Sequence, residues 1–291
     1  MRRPRGTRRA KATRASAATV GLRLPKRPLG RSGMAVSILG LGTVKFGRTA
    51  GARYAAPFEL PSDNDIADLL ATAQSLGINL LDTAPAYGTS ETRLGAALAG
   101  QREGWIVATK TGEEFDGVKS RFDFSADHTL RSVERSLTRL GTDRLDIVSI
   151  HSDGRDVGDI EAAGAVRALT RLRDEGTIRA IGFSGKTPND GNAALAFADV
   201  LMCTINASYS DETPLVRAAA EQDIGILVKK PLGRGRHRPQ ALPAIAAVPG
   251  VASILVGTIS AAHLAANADS LCDQAATTRA APGIGRSGGP G

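Results

Sequence analysis

The sequence predicts a (β/α)8 TIM barrel on three observations. Eight short runs rich in Val, Ile and Leu recur along the chain without strict alternation, the pattern of strands buried on both faces. Helical patterns separate most of them, which implies parallel strands joined by right-handed crossovers. After the first run, "GLGTVKFG" leads into a long loop and not directly into a helix. That argues against the main rival, an open doubly wound sheet with a Gly-rich first turn. The 291 residues suit one barrel.

The elements follow in order. "RPLGRSGMAVS" holds a turn centred on Arg31–Gly33 and predicts an N-terminal hairpin across the barrel's lower mouth. The first strand is expected at 36–42 (VSILGLG), followed by a long loop from Val44 to Pro61. A helix capped by Ser62 or Asp63 ends at Gly77. The second and third strands are expected at 78–83 (INLLDT) and 105–110 (WIVATK). In "SADHTLRSVERSLTRLG", Leu130, Val133, Leu137 and Leu140 share one helical face, and Gly141 closes it. The fourth strand is 145–151 (LDIVSIH). "DIEAAGAVRALTRLRDEG" predicts one helix, with Val166, Leu169 and Leu172 inward and Gly176 at its end. Strands at 178–184, 200–206, 224–230 and 251–257 complete the set, with later helices in "ETPLVRAAAEQDIG" and "ISAAHLAANADSL". The barrel is expected over 28–275, between a basic tail (1–27) and a Gly/Pro-rich tail (276–291), both read as disordered.

Charge bounds the function. The net charge is +8, but residues 1–31 hold eleven of the 37 basic residues and no acid. The remainder carries 26 basic against 29 acidic side chains, a net of −3. The basic balance therefore belongs to a tail, and no nucleic-acid partner is expected. The tail lacks the apolar core of a secretory signal; its Arg- and Ser-rich, acid-free composition also resembles a transit peptide. No apolar run reaches the roughly 20 residues of a membrane span, so no membrane partner is expected. Two cysteines, Cys203 and Cys272, fit a reducing, cytoplasmic setting. A monomer is the expected state.

Functional side chains of such barrels stand at the C-terminal strand ends. Asp82 ends the second strand, Tyr87 follows in its loop, Lys110 ends the third and His151 the fourth. Together they form a chemical set. A tyrosine hydroxyl with a reference pKa near 10 can act as a proton donor if a nearby lysine lowers it. An aspartate keeps that lysine charged, and a histidine can donate a hydrogen bond to a carbonyl and orient it. A metal-dependent hydrolase is set aside: there are four histidines, and His128, His237 and His263 fall on helices or loops.

Several motifs now point to one family. "GINLLDTAPAYGTSETRLGAAL", "VATKTG", "LDIVSIHSDG", "GTIRAIGFSG" and "GTISAAHLAANADSL" stand in the same order as in the aldo-keto reductases, and the chain resembles that family over about residues 28–271. The resemblance implies a metal-free barrel that reduces a small aldehyde or ketone by hydride transfer from NADPH, with NADH as the alternative. It implies a catalytic tetrad of Asp82, Tyr87, Lys110 and His151. It places Ser184 at the nicotinamide carboxamide, and Asn206 where the family usually has Gln. Leu232 and Gly233 fall in "KKPLGRG", the pyrophosphate loop; Thr258, His263 and Asn267 fall at the adenosine end. There are departures. Gly185 replaces the usual Asn, and Lys229 stands where many members place an aromatic under the nicotinamide. No Arg or Lys follows the eighth strand to meet a 2′-phosphate; Arg234, Arg236, His237 and Arg238 either supply that charge or form a solvated loop. Substrate choice falls to Phe46, Tyr54 and Phe58 in the first loop and to Phe115, Phe122 and Phe124. The alternative function is a non-catalytic, cofactor-binding regulatory or accessory protein.

Overall fold

The computed structural model describes residues 23–51 and 54–279, with side chains as far as Cys272 at the C-terminal end. The chain opens with the expected hairpin: β1 (Lys26–Pro28) and β2 (Ala35–Ser37) pair antiparallel, with Lys26 opposite Ser37. Gly33 turns it at φ 69°. A Cβ on Gly30 would lie 2.3 Å from the Gly225 backbone nitrogen, so the hairpin sits tight against the barrel floor. Leu29, Met34 and Val36 join Leu80, Ala108, Ile147, Ala180 and Leu227 in the cluster that fills the barrel's interior.

The wall follows. β3 (Leu39–Gly42) is succeeded by α1 (Val44–Gly47), then α2 (Asp63–Ser75) and β4 (Leu80–Asp82). Next come α3 (Ser90–Ala97), β5 (Ile106–Thr111), the small strands β6 (Glu113–Phe115) and β7 (Ser120–Phe122), and α4 (Ala126–Leu140). β8 (Leu145–His151), α5 (Val157–Ala163), α6 (Ala165–Asp174) and β9 (Ile178–Ser184) lead to α7 (Pro188–Ala194) and β10 (Val200–Thr204). α8 (Thr213–Glu221), β11 (Gly225–Lys229), α9 (Leu242–Ala246), β12 (Val251–Gly257) and α10 (Ala261–Arg279) complete the chain. Strands β3, β4, β5, β8, β9, β10, β11 and β12 close into one barrel, each parallel to its neighbours, and β12 meets β3 with Ile254 opposite Leu39. The second hydrophobic layer lies between wall and helices and includes Leu69, Leu70, Val107, Val148, Leu169 and Val228. Each such fully buried side chain contributes about 1.5–3 kcal/mol.

The helix signals act as read. Ser62 caps α2, accepting from Asp65 N–H while the Asp65 carboxylate accepts from Ser62 N–H. Gly141 ends α4 in the left-handed region. Two expectations need correction. The run 36–42 is two strands: its start pairs with β1, and only Leu39–Gly42 enters the wall. The expected helix over "DIEAAGAVRALTRLRDEG" is divided at Gly164, whose φ of 105° no helix interior can hold.

Of the expected tails, residues 1–22 and 280–291 lie outside the described residues. The hairpin begins at Lys26, inside the segment assigned to the basic tail, and there the Arg27 guanidinium donates to the carbonyls of Ala246 and Val251. Helix α10 continues through Arg279, past the expected boundary at 275.

Candidate active site

Register brings the expected residues to one mouth. Gly42 lies opposite Asp82, Asp82 opposite Ala108, Lys110 opposite Ser149, His151 opposite Ser184, and Thr204 opposite Lys229. These are the C-terminal ends of consecutive wall strands.

Asp82 and Lys110 form the centre. Lys110 Nζ donates to Asp82 Oδ1 at 2.5 Å and to the Thr83 carbonyl at 2.8 Å. Both side chains are buried. The same ammonium is 4.8 Å from the centroid of the Tyr87 ring. Tyr87 comes over the mouth in a 3-10 turn, Pro85–Tyr87, which Gly88 leaves at φ 63°. Gly88 and Gly47 pack backbone to backbone, since a Cβ on Gly88 would lie 2.2 Å from the Gly47 carbonyl oxygen.

The electrostatics of Tyr87 differ from the sequence expectation. Burial pushes its hydroxyl well above 10, Asp82 and Glu113 push the same way, and Arg48 opposes them. Lys110 was expected to lower it, but the Lys110 charge is already matched by Asp82 at 2.5 Å. The tyrosine therefore keeps its proton at neutral pH.

His151 meets a partner that the sequence reading did not name. Glu113, first residue of β6, approaches Nδ1 to 2.8 Å through Oε2. The N–H is not aligned with that oxygen, so this is a close contact and not a linear hydrogen bond. Burial lowers the His151 pKa, Glu113 opposes that, and Lys110 and Lys229 reinforce it. Burial raises Glu113, but His151, Ser120 and Arg48 outweigh it and hold the carboxyl at about 2. Ser120 Oγ donates to Glu113 Oε1 at 2.5 Å, and Arg48 Nη1 lies 3.6 Å from the same oxygen. Arg48 also donates to the Ala86 carbonyl and stacks on Phe115, 3.7 Å from its centroid. The hairpin of β6 and β7 carries Glu113 into the mouth. "EEFDGVKSRF" did hold a signal for it: an Asp-Gly turn between two short extended segments.

The residues expected at a nicotinamide lie side by side. Lys229 Nζ donates to Ser184 Oγ at 3.1 Å and to the Gly185 carbonyl at 2.5 Å. Burial pulls Lys229 down to about 8, helped by Lys230 and opposed by Glu212. A Cβ at Gly185 would meet Asp190 Cβ at 2.9 Å, so the backbone there has no room for the asparagine usual in the family. Asn206 accepts from Ser208 N–H and donates to the Lys230 carbonyl at 3.4 Å.

The loop after β11 suits an anion. Lys230, Gly233, Arg234 and Gly235 all have positive φ, and the Leu232 carbonyl accepts from Gly235, Arg236 and His237. Such a coil with Lys230, Arg234 and Arg236 around it fits the diphosphate of a dinucleotide. Ala55 N–H bonds the Arg234 carbonyl at 3.1 Å, joining the first loop to this one. Thr258 and Asn267 are buried, whereas His263 is exposed at the start of α10. Phe46, in α1, is fully buried in the outer core and offers no surface to the mouth. Tyr54 and Phe58 meet edge to face with Lys45 over both. Phe122 and Phe124 pack 6.3 Å apart. Among the described residues there is no His, Cys, Asp and Glu cluster able to hold a metal, and no helix long and apolar enough to cross a membrane.

Strand-end side chains around a basic coil are what an oxidoreductase barrel offers a dinucleotide. The sequence profile of the Aldo/keto reductase family matches residues 38–248, and the chain belongs to that family. A solved structure from Pseudomonas aeruginosa assigned to the aldo-keto reductases is 49% identical; the match covers 85% of this chain and 94% of that one, with a TM-score of 0.79. The holo form of an aldo-keto reductase from Bacillus halodurans is 26% identical over 86% and 91% of the two chains, with a TM-score of 0.73. L-galactose dehydrogenase of Arabidopsis thaliana is 31% identical over 75% of this chain and 68% of its own length. NADH-specific methylglyoxal reductase of Escherichia coli is 31% identical over 73% and 68%.

Proposed function

We propose that the chain reduces a small aldehyde or ketone to an alcohol with NAD(P)H, Tyr87 giving the proton. The observation that supports this best is the buried Lys110–Asp82 pair beside the Tyr87 ring. Bound nicotinamide supplies the hydride to the carbonyl carbon. Ser184 and Lys229 hold the carboxamide end, and the coil around Leu232 and Gly233 holds the diphosphate. Thr258, His263 and Asn267 line the adenosine end. Tyr87 donates its proton to the carbonyl oxygen, Lys110 stabilises the phenolate left behind, and Asp82 keeps Lys110 charged. His151 orients the carbonyl oxygen. NADPH is the preferred form on account of Arg234 and Arg236, although one relative is NADH-specific.

The test is cofactor oxidation with a panel of small aldehydes, methylglyoxal included. Tyr87→Phe should lose about 10²–10⁴-fold in kcat and still bind cofactor. Full activity in that variant would refute the assignment of Tyr87. Cofactor binding without turnover of any carbonyl would favour the regulatory reading.

A further inference from the structure

We infer that Lys229 sets the redox preference of the cofactor site: its ammonium opposes the cationic ring of an oxidised nicotinamide and tolerates the neutral ring of the reduced form. The inference rests on the reading above that a nicotinamide dinucleotide lies against Ser184 and Lys229, but not on turnover of a carbonyl.

Lys229 is the last residue of β11 and lies opposite Thr204 at the end of β10. Its side chain passes β10 and reaches β9, two strands away in the wall. There Nζ donates to Ser184 Oγ at 3.1 Å and to the Gly185 carbonyl at 2.5 Å. An ammonium carries three donors, and these two bonds leave one for a ligand.

The charge is not matched. Lys110 is paired with Asp82, whereas Lys229 forms no ion pair with a carboxylate among the described residues. The groups that act on it are Lys230 beside it, Glu212 ahead of α8, Cys203 on β10 and Lys110 on β5. Lys229 in turn acts on His151 of β8. Burial pushes the Cys203 thiol up to about 12, so it keeps its proton, and burial lowers His151, so the ring is neutral at neutral pH. Glu212 is the anion of this set, and its carboxylate accepts from the Thr204 N–H at 3.0 Å. Lys229 and Lys230 therefore share one carboxylate.

The coil that fits a diphosphate starts at Lys230, so on this reading the ring end of the dinucleotide comes beside Lys229. Oxidation gives that ring a formal positive charge and leaves the diphosphate, riboses and adenine unchanged. The difference in affinity between the two forms thus reports the charge at the ring. A like charge in a part-buried site should disfavour the oxidised form about tenfold. The effect is on loading and release: the reduced form is kept and the spent form leaves. The chemical step gains nothing from it, because positive charge develops on the ring as hydride departs. Burial pulls Lys229 down to about 8, so the ammonium is present at neutral pH and is lost as pH rises through that value.

Fluorescence titrations of the full chain with NADPH and NADP⁺ test this without any carbonyl. The ratio of the NADP⁺ to the NADPH dissociation constant should fall about tenfold between about pH 7 and pH 9.5 in the wild type. In Lys229→Met the ratio should already be low at neutral pH and stay level. In Lys229→Arg it should stay high throughout, because a guanidinium keeps its charge. A wild-type ratio that does not change with pH, or a Lys229→Met ratio equal to that of the wild type at neutral pH, overturns the inference. If Lys229→Met does not fold, the wild-type ratio and Lys229→Arg decide. Failure of both dinucleotides to bind overturns it together with the reductase reading. The expected ratios without turnover of any carbonyl would sink the reductase reading and leave this one standing.

Discussion

Lys110 Nζ and Asp82 Oδ1 lie 2.5 Å apart at the upper end of the barrel wall, and both side chains are buried. Removing one partner leaves the other charge buried and unmatched. Asp82→Asn should cost about 3–5 kcal/mol in chemical denaturation. Asp82→Asn combined with Lys110→Met should recover part of that loss while remaining inactive. Equal stability of Asp82→Asn and the wild type would show that the pair carries no such weight.

Glu113 gives the protein an acid-side sensitivity. Its folded pKa is about 2, below the ordinary 4.5, so its ionised form stabilises the fold above that ordinary value. The contribution is lost as pH falls from about 4.5 through 2. Denaturation curves across that window should fall more steeply for the wild type than for Glu113→Gln. Parallel curves would rule the contribution out.

Lys229 acts in the opposite window. Its folded pKa is about 8 against an ordinary 10.5, so the unfolded chain binds the extra proton between those values. Stability from this group therefore rises as pH climbs from 8 to 10.5. The gap between wild type and Lys229→Met should shift in favour of the wild type over that range in thermal melts. A gap that stays constant would contradict it.

Gly112→Ala should destabilise by about 1–3 kcal/mol, because its φ of 98° and the 2.5 Å approach to Phe124 leave no room for a methyl group. The same variant should raise KM for carbonyls through displacement of the hairpin. A structure-neutral result in melting and kinetics would show that the hairpin tolerates movement.

Arg234→Gln with Arg236→Gln should weaken both dinucleotides, NADPH by about tenfold and NADH by less, as read by fluorescence titration at fixed ionic strength. Equal weakening of both would assign these arginines to the diphosphate alone.

The wall was legible in the sequence because parallel buried strands need long apolar runs, and LDIVSIH, IRAIGFS and VASILVG became strands at their expected ends. Asp82, Lys110 and His151 were legible because strand ends are where such barrels carry polar groups. Features set by tertiary packing were not. Leu39 and Ser37 belong to adjacent stretches of one apolar run, yet they pair with different partners. Gly164 reads as an ordinary helical glycine until its φ is known. Glu113 lies three residues past Lys110, and only the fold-back of the hairpin brings it to His151. The expected effect of Lys110 on Tyr87 was offset by burial and by Asp82, neither of which a strand-end pattern can weigh.

The segment from Glu113 to Phe122 leaves the wall and returns at nearly the same point. Asp123 N–H bonds the Gly112 carbonyl at 3.0 Å and closes the base of the excursion. Its two strands hydrogen-bond to each other and not to the barrel ladder. Length and sequence between these two anchors can change without re-registering a wall strand. The hairpin is a self-contained excursion: one short ladder carries both the carboxylate that faces His151 and the rings of Phe115 and Phe122.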